Sequence, residues 1–394
     1  MDSNKLTRRQ FLHKSGKLLL GGAAAGVTVP LLGSLPIRDA LSAQASLPQP
    51  GAASRDVVSI VKIKKGNIPA AVEEAIDLLG GVKEVAKNKQ RVMLKPNIVS
   101  ENPRSTTKRP VVQTLAQLLK KDGKEVLIGE GSAAAMGFNV SAAGEISRTK
   151  KQPLIDDMQK YVFDQLGYTE LARSLDTPLI NLHSGDMASI DLPQGLAYKQ
   201  LSIHHSLTEI DLLCSVPMMK THSLAGVTLG MKNLVGLYPG TVYGTVRAGV
   251  HDHAANQGSP GIAYEILDMV KANKLGLVVV DGSSAMEGNG PSMGTLLDMN
   301  VIIAGTNPLA TDMVAARVMG YEPHEIPTFV TAQRIGMKPG SLDEIEIRGA
   351  GIETVTHPFI RPQMYRWQDI RDFWGVKEIL YRPQGVKMPE CSLI

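Results

Sequence analysis

Beyond residue 55 the chain alternates short β-branched runs with stretches in which apolar residues recur every three or four positions. The runs at 57–63, 91–95 and 125–129 predict strands, and the stretches at 69–86 and 110–122 predict helices, the second opened by Pro110. A β-α-β-α-β order is that of a parallel sheet with helices on its faces. Residues 156–175 read as a less regular helical insertion, followed by short strand candidates at 178–182, 188–192 and 201–203. The alternation resumes with a strand at 210–216, a Gly-rich stretch to Ser259, a helix at 261–273, strands at 275–281 and 299–304, and a helix at 309–319. The expected fold class is α/β: a mostly parallel sheet with helices on both faces, an irregular inserted region and an aromatic C-terminal tail. The tail is marked by residues 357–394, which hold six of the 17 aromatics, and is expected to pack back on the domain.

The N-terminal segment has a different pattern. Thr7-Arg8-Arg9-Gln10-Phe11-Leu12 precedes Lys14, Lys17 and a weakly apolar, Gly- and Ala-rich run, and Ala43-Gln44-Ala45 places small residues ahead of Ser46. A charged start, an apolar middle and a small-residue end predict a twin-arginine (Tat) signal peptide over 1–45, with cleavage before Ser46. A linker at 46–55, an α/β domain at 56–350 and the tail at 351–394 complete the expected organisation. The Tat translocase is then a partner during export, and the location is periplasmic or otherwise extracytoplasmic. No other apolar stretch approaches membrane-spanning length, so no integral membrane domain is expected after signal removal.

Composition narrows the function classes. The 394 residues are 43% hydrophobic and 20% charged, as a globular chain requires. The net charge of +4 lies wholly in residues 1–45, leaving 36 basic and 36 acidic residues afterwards, so nothing steers the chain to nucleic acid. Two cysteines exclude a disulfide scaffold and an iron-sulfur cluster held by this chain. Cys214, among Leu and Val, reads as a buried inert thiol.

Polar residues concentrate just past the predicted strand ends: Lys95-Pro96-Asn97, Glu130, Lys220-Thr221-His222 and Asp281-Gly282. Ligands of open parallel sheets bind at those ends. The stretch from Val216 to Leu237 adds Lys232 and Asn233 to an otherwise apolar segment, and buried ammonium groups need carboxylate or anionic partners. Lys95, Lys220 and Lys232 are therefore expected to neutralise a carboxylate or phosphate, oriented by Asn97, Asn233 and Asn289. Lys220, His222 and Lys232 are the candidate catalytic groups. Asp281 and Glu287, flanking a Gly-rich loop, are expected with His222 to hold a divalent metal, Mg, Mn, Fe or Zn. Further candidates for that role are Glu130, Asp312, and His251 and His253 in an extended loop. No P-loop, dinucleotide fingerprint or G-x-S-x-G elbow is present.

Together Lys95-Pro96-Asn97, V-P-M-M-K-T-H (216–222), G-V-T-L-G-M-K-N-L-V-G (226–236), V-V-D-G (279–282), M-E-G-N-G-P (286–291) and N-P-L-A-T-D-M-V-A-A-R-V-M-G (307–320) resemble the family known as domain of unknown function 362 (DUF362). The resemblance spans about residues 57–350. Many members carry an appended ferredoxin-type domain whose cysteines this chain lacks, so the resemblance implies fold and site location but no cluster and no assigned reaction. Two functional readings follow: an exported enzyme or cofactor protein with a metal and anion site at the strand ends, or a non-catalytic module that binds a ligand, a metal or a redox partner.

Overall fold

The computed structural model describes residues 55–362, so the expected signal peptide, nearly all of the linker and most of the aromatic tail lie outside the described residues. Thirteen strands occur within them: β1 (Asp56–Lys62), β2 (Arg91–Pro96), β3 (Glu125–Glu130), β4 (Leu179–Asn181), β5 (Met187–Asp191), β6 (Gln200–His204), β7 (Leu212–Val216), β8 (Met218–His222), β9 (Gly226–Thr228), β10 (Leu275–Glu287), β11 (Thr295–Leu297), β12 (Val301–Gly305) and β13 (Ile345–Gly349). β5 and β6 pair as a separate antiparallel ribbon. The others form one sheet in the order β13-β1-β12-β10-β7-β2-β3-β4, with β11 and β8 joined to β10 and β9 joined to β8. Neighbours along that order are parallel except at β12, which runs antiparallel to β1 and β10.

Strand periodicity divides the apolar residues between two cores. Met93, Leu127, Leu213, Val278 and Val280 face one, and Val92, Leu94, Val126, Ile128, Leu212, Cys214, Leu277 and Val279 face the other. β7 is buried along its whole length, as a strand covered on both faces must be. Helices Ile68–Asp77, Arg109–Lys121, Gln152–Gln165 and Tyr168–Ser174 cover the second core, while Ala263–Ala272, Pro308–Val318 and Pro327–Arg334 cover the first. The molecule is thus α/β with a mostly parallel sheet. Among the described residues no helix is long and apolar enough to cross a membrane.

Local chemistry sets the boundaries. Asn67 and Asn307 cap helices Ile68–Asp77 and Pro308–Val318 by accepting backbone N–H groups at 3.0–3.1 Å, each followed closely by proline. The expected helix at 69–86 stops early because Gly80 and Gly81 take φ of 100° and 77°. The helical insertion at 156–175 is two helices broken at Gly167, with φ of 69°. The strand expected to end at Asp281 continues to Glu287. The Gly-rich stretch before Ser259 is not irregular: it forms β8, β9, a short helix Gly230–Asn233 and a helix Ala248–Gln257. Residues 216–240 are nearly all buried, which erases the polar-apolar alternation by which a sequence announces such elements. At the far end, Phe359 is buried in the first core.

Candidate functional site

The carboxyl ends of β2, β3 and β8 meet at a cavity of about 220 Å³. Its wall includes Lys95, Asn97, Glu130, His222, Thr228, Lys232, Asn233, Arg247 and His251. Lys95 is wholly buried, and its ammonium donates to both Glu130 oxygens at 2.8 Å and to Asn233 Oδ1 and the Pro96 carbonyl at 3.1 Å. Glu130 accepts further N–H bonds from Ile98 at 2.9 Å and Gly131 at 2.8 Å. Both charges are therefore consumed within the protein. A Cβ on Gly236 would lie 2.5 Å from Glu130 Oε1 and 2.7 Å from Lys95 Nζ, so this ion pair packs on bare backbone.

Lys232 and Asn233 sit on the helix Gly230–Asn233, whose start is fixed from across the core. Asp312 accepts the Gly230 and Met231 N–H groups at 2.7 and 2.8 Å, and burial pushes its carboxyl up to about 7. Asn233 ties the helix to the sheet by donating to the Lys95 carbonyl and to Ser215 Oγ, both at 3.1 Å. Asn97 donates to Asn233 Oδ1 at 3.0 Å. These bonds hold Lys232, which is half-buried on the cavity wall and has no hydrogen-bond acceptor or counter-ion among the described residues. Burial, then the charges of Lys95 and Arg247, pull its ammonium down to about 7. Lys220 does not reach the wall: it is wholly buried and donates to the Ser105 carbonyl at 2.8 Å. Burial, then the charge of Lys232, brings it also to about 7.

The two wall histidines are held in opposite tautomers. His222 Nδ1 accepts from the Leu224 and Ala225 N–H groups at 3.1 and 3.3 Å, which puts the proton of the neutral ring on Nε2. His251 faces a carbonyl, that of Arg247, 3.0 Å from its Nδ1, so its proton is on Nδ1. Burial first and Lys232 next hold both rings neutral, His222 well below the ordinary imidazole range and His251 down to about 3.

Arg247 is a functional candidate that sequence reasoning passed over. It donates to the carbonyls of Val235, Gly131 and Gly236 and meets His183 Nε2 at 2.7 Å, none of which neutralises its charge. Val246 and Arg247 take φ of 50° and 58°. A β-branched residue there costs about 1–3 kcal/mol, strain of a kind that clusters at functional sites. Arg247 follows no strand and carries no spacing signal, but His183 lies just past β4 and the strand-end rule would have found it.

The expected metal ligands are not brought together. Asp281 accepts from the Lys108 N–H at 2.7 Å and from Ser283 N–H and Oγ at 3.0 and 2.6 Å, and Glu287 accepts from the Ile360 N–H at 2.7 Å. With Nδ1 of His222 taken by amides, its Nε2 carries a proton rather than a lone pair for a cation. Among the described residues no three His, Cys, Asp or Glu side chains are grouped to hold an ion. Asp312 is a helix cap. His251 and His253 lie on the helix Ala248–Gln257, not in an extended loop, and two-residue spacing sends them to different faces. His253 instead stacks on Tyr198 and contacts Glu265 Oε1 at 3.1 Å. Asn289 lies outside the cavity wall.

Against this geometry the comparisons with known proteins are informative about family and silent about chemistry. The family model described as domain of unknown function (DUF362) matches residues 92–317. The thylakoid-associated protein sll1697 of Synechocystis is 26% identical over 318 residues, 80% of this chain and 85% of that protein. Among solved structures, the lactate racemase apoprotein of Thermoanaerobacterium thermosaccharolyticum is 14% identical with a TM-score of 0.40, over 69% of this chain and 59% of that one, less than two thirds of its length. A Thermotoga maritima protein is 12% identical with a TM-score of 0.35, over 73% of this chain and 60% of that one.

Proposed function

This chain belongs to the DUF362 family, and we propose that it is an exported member that binds a small organic anion, a carboxylate or a phosphate, in the cavity at the ends of β2, β3 and β8. One observation carries the reading: among the described residues the only carboxylate on the wall, Glu130, is spent on Lys95 and two amides, while Lys232 and Arg247 on the same wall form no salt bridge. After burial, the charges of Lys95 and Arg247 pull Lys232 down and the charge of Lys232 pulls Lys220 down, and an anion beside Lys232 relieves that repulsion. Two buried polar atoms of the wall, Asn97 Oδ1 and Thr228 Oγ1, have no hydrogen-bond partner among the described residues, as a site built for a polar ligand leaves them.

Sulfate, phosphate or a small dicarboxylate is expected to raise the melting temperature of the wild type. Lys232→Met is expected to lose most of that gain while melting, ligand-free, no lower than wild type, because it removes a repelled charge. An undiminished gain in the variant, or a steep ligand-free loss, would sink the assignment.

Export rests on Arg8 and Arg9, which the Tat translocase reads as a pair. Arg8→Lys combined with Arg9→Lys is expected to leave the precursor in the cytoplasm, and fractionation that recovers the double mutant normally in the periplasm would refute this.

A further inference from the structure

We propose that Lys232 is a nucleophilic amine that forms an imine with the carbonyl of a small 2-oxo acid held in the anion cavity. The inference rests on the anion reading and adds to it a substrate class and a covalent step.

The three buried lysines differ in what their nitrogens face. Lys95 directs its N–H groups at the Pro96 carbonyl, Glu130 and Asn233, so it is fixed as an ammonium with no lone pair to offer. Lys220 is off the cavity wall and donates to the Ser105 carbonyl. Lys232 shares the cavity wall with Lys95, but no acceptor among the described residues holds it as an ammonium. Burial, and after it the charges of Lys95 and Arg247, favour the neutral amine, the arrangement by which a desolvated lysine beside another cation becomes nucleophilic at neutral pH. The same positive charge attracts the carboxylate of the incoming acid.

The step balances with groups already on the wall. The lone pair of Lys232 Nζ attacks the oxo carbon, a C–N bond forms as the C=O π bond breaks onto oxygen, and that oxygen takes up a proton; His222, on the cavity wall with its proton on Nε2, gives it and recovers the proton lost by Nζ. The carbinolamine then loses water to give C=N, with no change of oxidation state. Asn97 Oδ1, which lacks a donor in the empty site, accepts the hydroxyl of that carbinolamine. A cavity of about 220 Å³ admits a short-chain acid.

The full chain incubated near neutral pH with pyruvate and sodium cyanoborohydride tests the proposal. One reduced pyruvate group per chain is expected, mapped by peptide mass analysis to Lys232 and at least about ten-fold above any other lysine. Acetone, which has the carbonyl and no carboxylate, is expected to label far less. Lys232→Arg cannot form an imine, so it is expected to lose the adduct. Label spread over surface lysines, or equal labelling by acetone, would overturn the proposal, and peptide mapping of the wild type decides this without any variant. If sulfate raises the melting temperature but pyruvate leaves no adduct, the imine is refuted and the anion site stands; if neither responds, both fall.

Discussion

Replacing Glu130 by Gln is expected to lower the unfolding free energy by about 3–5 kcal/mol, the usual cost of removing one partner of a buried ion pair. The side chains of Lys95 and Glu130 are 1% and 2% exposed, so water cannot take over either charge. Glutamine keeps the volume but leaves the Lys95 ammonium uncompensated, and its NH2 turns a donor toward Ile98 N–H or Gly131 N–H, where the carboxylate accepted both. The residues released are those that form the cavity, since Asn233 and Gly236 pack directly on the pair. Anion-induced stabilisation is therefore expected to fall with it. Urea unfolding at constant m-value measures the effect, and a loss below about 1 kcal/mol would show that the pair is not held as described. Lys95→Met should be costly for the reciprocal reason. The double variant Lys95→Met with Glu130→Gln should lose less than the sum of the two, because the second substitution removes the charge that the first one stranded.

That Glu130 and Lys95 would meet was only half visible in the sequence. The rule that polar residues past parallel strand ends lie together brings Lys95, Asn97, Glu130 and His222 to one cavity wall, since β2, β3 and β8 all deliver their carboxyl ends there. It failed at Asp281 because β10 does not end there. The strand runs on to Glu287, pairs with β12 and β11, and turns Asp281 to the amide that precedes the helix Arg109–Lys121. A hydrophobic run cannot announce that its polar continuation is still strand. Apolar context singles out Lys220 and Lys232 as ammonium groups in need of partners, but the cap that sets the helix carrying Lys232, Asp312, is contributed from some eighty residues away and reads in sequence as a free carboxylate. Arg247 was missed for a related reason: what aims it is a left-handed backbone at Val246 and Arg247, which neither residue type advertises.

The same electrostatics fix how the site should respond to pH. Sulfate keeps its charge across the neutral range, so any pH dependence of its binding belongs to the protein. Lys220 and Lys232 are drawn down to about 7 in the empty site, and a bound anion favours their protonated forms. Above about pH 7 the protein must then take up protons to bind, and affinity is expected to fall by up to about ten-fold per pH unit for each lysine involved. Stability of the empty protein should move the other way. Unfolded lysines titrate at their ordinary 10.5, so between about 7 and 10.5 the unfolded chain holds protons that the folded one has released. Stability is therefore least below the folded value and rises with pH through that window. Calorimetric titration with sulfate at about pH 8, in two buffers of different ionisation enthalpy, counts the protons taken up on binding. Zero uptake, or an affinity unchanged from about pH 6.5 to about pH 9, would mean that Lys232 does not meet the anion, and the charge balance of the cavity would have to be rebuilt around Arg247 alone.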